Sequence, residues 1–197
     1  MFSLDLDIGP VEVMVQEGTD GTIYWIQQRP PSFGDTVSAE YAASLVNVSE
    51  AQVESSFDCQ VVSTGLPTLL IPTTSLDAVR DANVNAQVYE EMVSNLEVKA
   101  ILVFAPETIH DDNHLHVRMF APALDIPEDP ATGSGNGCLA GYLSNYQYFG
   151  GGDIDITVEQ GFGIERPSKL HLRATSGEDI DISVGGSVSP VVIGELL

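Results

Sequence analysis

Positive charge is scarce in this sequence. Lysine occurs only at Lys99 and Lys169, and lysine plus arginine total 7 against 29 aspartates and glutamates, a formal net charge of -22 at pH 7. Without a basic stripe to displace counterions from phosphates, the chain is a poor partner for duplex nucleic acid. Cysteine is scarcer still. Cys59 and Cys138 are too few for a disulfide scaffold and read as small buried residues. No apolar run approaches the length of a membrane span, and no basic n-region followed by an apolar stretch opens the sequence. The expectation is a cytoplasmic protein with no membrane partner.

What is present is an ordinary globular share of apolar residues, 43%. The acids are spread along the chain and alternate with apolar residues, as in Asp153-Ile154-Asp155-Ile156 and Asp179-Ile180-Asp181-Ile182. Each such stretch is a strand with one buried and one carboxylate-coated face. So acidic a surface suits a salt-saturated cytoplasm, where ionic strength screens self-repulsion, and points to a halophilic host.

Along the chain, Val11–Val15 and Thr22–Gln27 read as a hairpin around Glu17–Gly21, ending at Pro30-Pro31. Asp35 or Thr36 is placed to cap a helix through Val46, and Ser49–Gln52 looks like the entry to a shorter turn. Strands are expected at Gln60–Ser63, Thr68–Ile71, Ala100–Ala105 and His114–Phe120, with helical pieces at Leu76–Asp81 and Ala86–Asn95. A helix from about Gly135 to Tyr148 follows, then strands at Ile154–Glu159, Lys169–Ala174, Ile180–Val184 and Val188–Glu195. The pattern is α+β, a curled, mostly antiparallel sheet around one dominant helix.

The chemistry concentrates in Glu128-Asp129-Pro130-Ala131-Thr132-Gly133-Ser134-Gly135-Asn136-Gly137-Cys138. A helix starting near Ser134 leaves the backbone N–H groups of Gly133, Ser134, Gly135 and Asn136 unpaired at its positive end, a seat for an anion. The Ser134 hydroxyl either caps that helix or donates to the anion. Asp129, just before the turn, is placed to take a proton from carbon while the turn holds a substrate carboxylate. A phosphate loop fits poorly, because no lysine follows the glycines. His110, His114 and His116 with Asp111 and Asp112 offer donor types for a metal, but His114 and His116 read better as surface or half-buried strand residues.

Arg118–Pro122, Glu128–Ser134, Asn136–Ala140 and Tyr142-Leu143 together resemble the signature of the PhzF-like (phenazine biosynthesis) isomerase family. Thr64-Gly65-Leu66-Pro67 and Glu159-Gln160-Gly161 with Arg166-Pro167-Ser168 agree with it. The resemblance implies a diaminopimelate epimerase-like fold of two α+β lobes, each wrapping a sheet around a central helix, with the active site between them. It also implies proton shifts without a cofactor or metal on small carboxylates, with Asp129 as an active-site acid and Gly133 and Ser134 receiving the substrate.

The sequence departs from the family in lacking the glutamate general acid/base of the first lobe. Glu40 and Glu50 do not stand in its context. The expected organisation is residues 1–31 with 186–197 as strands of a first lobe, and residues 32–185 as the second. A pair of thiols, used by racemases of this fold, would require Cys59 to face Cys138. Two functions remain open: an isomerase completed by a chain that supplies the missing lobe, or a non-catalytic homodimer with a binding or structural role.

Overall fold

The alternation at the start of the chain forms a meander in the computed structural model, which describes residues 1–6, 9–18, 21–96, 98–177, 179–189, 191, 192 and 194. Strands β1 (Phe2–Leu6), β2 (Gly9–Gly18) and β3 (Gly21–Gln27) pair antiparallel in succession. Next come β4 (Ser32–Val37), α1 (Ala39–Leu45), a 3-10 turn at Glu50–Gln52, β5 (Cys59–Ser63), β6 (Thr68–Pro72), α2 (Leu76–Asp81) and α3 (Ala86–Leu96). The remainder is β7 (Ala100–Ala105), β8 (Leu115–Ala121), β9 (Ile126–Asp129), α4 (Gly133–Asn145), β10 (Ile154–Gln160), β11 (Ser168–Thr175) and β12 (Asp181–Gly186).

Neighbouring strands run β1-β2-β3-β12-β11-β10-β8-β7-β6-β5-β4, with β9 paired to β8. Among the described residues only β6 with β7 and β8 with β10 are parallel pairs. The fold is thus α+β with a mostly antiparallel sheet, as read from the sequence, and α4 packs on its strands β5–β7 and β10–β12.

Period two explains the layering. In β7, Leu102 and Phe104 face the core around α4 with Tyr142, Leu143 and Leu172. The alternate residues Ile101, Val103 and Ala105 face a second core with Leu45, Val79 and Met92 from α1, α2 and α3. A strand covered on both faces has no polar side, which is why Ala100–Ala105 is continuously apolar.

Three boundaries differ from expectation. Residues 32–37 form strand β4 against β5, so neither Asp35 nor Thr36 caps α1; Ser38 does, its side chain accepting from Tyr41 N. Residues 126–129, unassigned by pattern, form β9 because β8 supplies an edge, with Met119 opposite Asp129. The strand expected at Val188–Glu195 is absent at residues 188, 189, 191, 192 and 194, and its other positions lie outside the described residues.

Among the described residues no helix is long and apolar enough to cross a membrane. Register places Phe2, Leu4, Val13 and Ile26 on the same sheet face as Val184, the face that α4 covers farther along. Beyond β12 that cover stops, and Phe2, Leu4 and Ile26 are exposed.

Candidate functional site

The turn before α4 is built from four polar side chains. Helix α4 begins at Gly133 with Thr132 as its N-cap residue, two positions earlier than the sequence pattern suggested for the first helical turn, and Thr132 makes no side-chain cap. Its hydroxyl instead donates to Asp129 Oδ2 at 2.6 Å. Gln160, fully buried at the end of β10, donates from Nε2 to the Asp129 carbonyl at 2.7 Å and to Thr132 Oγ1 at 3.1 Å. Asn136, also fully buried, donates from Nδ2 to Gln160 Oε1 at 2.8 Å and to the Thr132 carbonyl at 2.9 Å.

Strand alternation separates the acid pair. Asp129 is half-buried beside the turn, and among the described residues nothing bonds its Oδ1. Glu128 is held on the other side by Arg118, Nε to Oε1 at 3.1 Å and Nη2 to Oε2 at 2.8 Å. Arg118 Nη1 also donates to the carbonyls of Val79, Arg80 and Ala82, closing the C-terminal end of α2. Glu128 is thus a structural anchor, and Asp129 is the carboxylate left to the turn.

The first three N–H groups of a helix have no intrahelical acceptor, so Gly133, Ser134 and Gly135 present theirs at the positive end of α4. Asn136 does not: its N–H donates to the Thr132 carbonyl at 3.1 Å, which corrects the expectation that it is unpaired. Asn136 Oδ1 is buried without a hydrogen-bond partner among the described residues. Ser134 is half-buried and does not cap the helix.

The glycines divide by environment. Gly133, Gly137 and Gly141 stand at i, i+4 and i+8, one stripe of α4. A Cβ on Gly141 would lie 2.8 Å from Pro31 Cβ and one on Gly137 3.0 Å from Gln28 Cγ, whereas one on Gly133 would meet nothing within 4 Å. The segment after β3 fills the stripe and stops short of its open end at Gly133. Gly135 points inward, where a Cβ would collide with Met119 Sδ.

The thiols do not face each other. Cys138 lies in the core around α4 and Cys59 in the core on the other side of the sheet. Burial pushes the Cys138 thiol up and Cys59 to about 12, so neither is a thiolate at neutral pH. His114 is exposed as expected, but His116 is buried, which corrects the surface or half-buried reading. Its Nδ1 lies 2.7 Å from Glu159 Oε1. Among the described residues no group of His, Cys, Asp and Glu is arranged to hold a metal ion.

Pattern reading identified Asp129, Gly133 and Ser134 but gave Thr132 and Gln160 no role. The signal for them was a polar Gln at the end of an otherwise buried strand. A buried amide needs partners, and a polar turn is where they are found.

Known proteins resemble this chain in sequence and in fold. A family model described as phenazine biosynthesis-like protein matches residues 1–193. An uncharacterized isomerase of Clostridium acetobutylicum is 28% identical over 195 residues, 95% of this chain and 64% of that relative. The trans-2,3-dihydro-3-hydroxyanthranilate isomerase of Pseudomonas aeruginosa is 40% identical over 76 residues, 38% of this chain and 27% of that enzyme. A crystal structure of a Bacillus anthracis phenazine biosynthesis protein superimposes with a TM-score of 0.85 at 23% identity, covering 94% of this chain and 64% of that one. The chain spans slightly less than two thirds of the length of the Clostridium acetobutylicum and Bacillus anthracis proteins.

Proposed function

Because the chain belongs to the phenazine biosynthesis-like protein family, we propose that it is the substrate-holding part of a cofactor-independent isomerase that shifts a proton on a small carboxylate. The observation that carries this reading is the open turn at Gly133–Gly135 beside Asp129. Three N–H groups at the start of α4 lack an intrahelical acceptor, the space at Gly133 is open, and among the described residues one oxygen of the neighbouring Asp129 carboxylate has no partner.

In this reading the substrate carboxylate binds Gly133, Ser134 and Gly135, with the Ser134 hydroxyl as a further donor. Asn136 supports the turn from below through Thr132 and Gln160. Asp129 takes a proton from carbon next to the carboxylate, and a second acid/base returns one at the new position. The Pseudomonas aeruginosa enzyme named above is an isomerase of a small carboxylate, in line with such chemistry.

The second acid/base is the glutamate that the family's first lobe supplies. Residues 1–31 with 186–197 are then remnant strands of that first lobe, and residues 32–185 the second lobe, which holds the turn. The exposed Phe2, Leu4 and Ile26 favour a covering partner, either a chain carrying the lobe or a second copy of this one. The same face supports the alternative, a non-catalytic homodimer that retains the turn for binding alone. The acidic composition suits work in a salt-rich cytoplasm.

The test is titration with small aromatic and aliphatic carboxylates in molar potassium chloride, followed by amide shifts and Trp25 fluorescence. Saturable shifts at Gly133–Gly135 that vanish in an Asp129→Asn, Ser134→Ala double variant support the isomerase reading. Absence of binding in both proteins overturns it and leaves the structural homodimer.

A further inference from the structure

His116 is an ionisable group buried away from the α4 turn. In β8, Leu115 and Val117 point toward α4, so His116, Arg118 and Phe120 point to the opposite face. Both members of the His116–Glu159 pair have side chains only 1% exposed. Glu159 also accepts from the backbone N–H groups of Ile109 and His110 and from Asn113 Nδ2.

A carboxylate facing that many donors is ionised, so Nδ1 of His116 carries the hydrogen and Nε2 keeps its lone pair. No described residue bonds Nε2. The ring forms a wall of a pocket of about 410 Å³ with Arg80, Ile109, Arg118, Phe162 and Gly163. An acceptor with no partner among the described residues, on a ring that lines a space of that size, is a place for a ligand's donor.

The other walls define the ligand. Phe162, its ring centroid 5.7 Å from that of His116, and Ile109 are apolar flanks. Arg118 is engaged by Glu128 and three carbonyls. Arg80 is free by comparison: its side chain is 53% exposed and its partner Asp77, at 3.5 Å, is 85% exposed. In a chain of net charge -22, an arginine at a pocket wall is an uncommon attraction for an anion.

We propose that this pocket binds a small hydroxy acid, its hydroxyl donating to His116 Nε2, its body between Ile109 and Phe162, and its carboxylate at Arg80. The site lies on the opposite side of β8 from the α4 turn and does not depend on the isomerase reading.

The experiment is amide-shift titration of the full chain with 4-hydroxybenzoate, with benzoate as the ligand lacking the hydroxyl. His116→Asn keeps an N–H toward Glu159 and removes the Nε2 acceptor. Saturable shifts at Ile109, Phe162 and Gly163, with affinity about tenfold weaker for benzoate and for the variant, are expected from loss of one hydrogen bond. Arg80→Gln weakens both ligands alike. Equal affinity for the two ligands, or shifts confined to Gly133–Gly135, would overturn the proposal. Where His116→Asn fails to fold, comparing the two ligands on the unmodified chain still tests the same hydrogen bond.

Discussion

The Thr132 hydroxyl reaches Asp129 Oδ2 at 2.6 Å, and the same hydroxyl accepts from Gln160 Nε2 at 3.1 Å. A buried amide on β10 therefore sets the rotamer of a threonine, which sets the direction of the carboxylate. Thr132→Ser keeps this relay and Thr132→Val breaks it. Small-carboxylate binding at the α4 turn is expected to survive the first and fall about tenfold in the second, the value of one hydrogen bond to a charged group. Isothermal titration of the two variants checks this, and equal affinities would mean the relay has no part in binding.

Gly133→Ala and Gly141→Ala separate binding from packing. The first adds a methyl where nothing lies within 4 Å, the second where Pro31 Cβ is 2.8 Å away. Chemical denaturation is expected to show Gly141→Ala destabilised by about 1–3 kcal/mol and Gly133→Ala within about 0.5 kcal/mol of the parent. Carboxylate binding should nevertheless be lost in Gly133→Ala, because the methyl stands where the ligand goes.

Arg118→Met removes the partner of a nearly buried Glu128 and three carbonyl contacts at the end of α2. A loss of about 3–5 kcal/mol is expected, since the unpaired charge stays in place. Adding Glu128→Gln should recover part of it in a double-mutant cycle; strict additivity would show that the two side chains do not interact in solution.

Acid should destabilise the protein in two stages. Burial holds His116 below its ordinary value of 6.5 in the fold despite Glu159, so the unfolded chain binds that proton first and stability falls as pH drops below about 6.5. Burial works to raise Glu159, yet the Ile109 N–H, His116 and Asn113 outweigh it and hold it below 4.5, adding a second loss below about pH 4.5. Thermal melts of the parent and His116→Asn between pH 7 and 5 should show the first stage flattened in the variant.

Neither thiol should react with an exposed-thiol reagent at pH 8 in the folded protein, and both should react after unfolding. Cys59, pushed up to about 12 by burial, is the more protected on electrostatic grounds. Rapid labelling of either one under native conditions would place it at the surface.

Much of the sheet was legible because its strands announce themselves locally. Ala100–Ala105 is apolar at every position and Lys169–Ala174 alternates, so each pattern names its own surroundings. Strands β4 and β9 were not legible: Ser32–Val37 is polar and exposed along most of its length, and Ile126–Asp129 is four residues with a proline. They are strands because β5 and β8 offer edges, information carried elsewhere in the chain. The site divides in the same way. Asp129 and the glycines after it were readable from composition and helix electrostatics. The partnership of Asn136 with Gln160 spans 24 residues and that of His116 with Glu159 spans 43, so neither pairing is visible in any one stretch of sequence.

The seam between β3 and β12 sets Gln27 opposite Ser183, which ties the first meander to the last described strand. On a ribosome the β1–β3 meander is made before β12 and must wait, the outer edge of β3 unpaired, until the strand ending at Gly186 has emerged. Closure of so distant a pair is slow relative to local hairpins. The vulnerable interval is therefore the one between the making of β3 and the making of β12, when an unpaired ribbon edge is displayed to neighbouring chains.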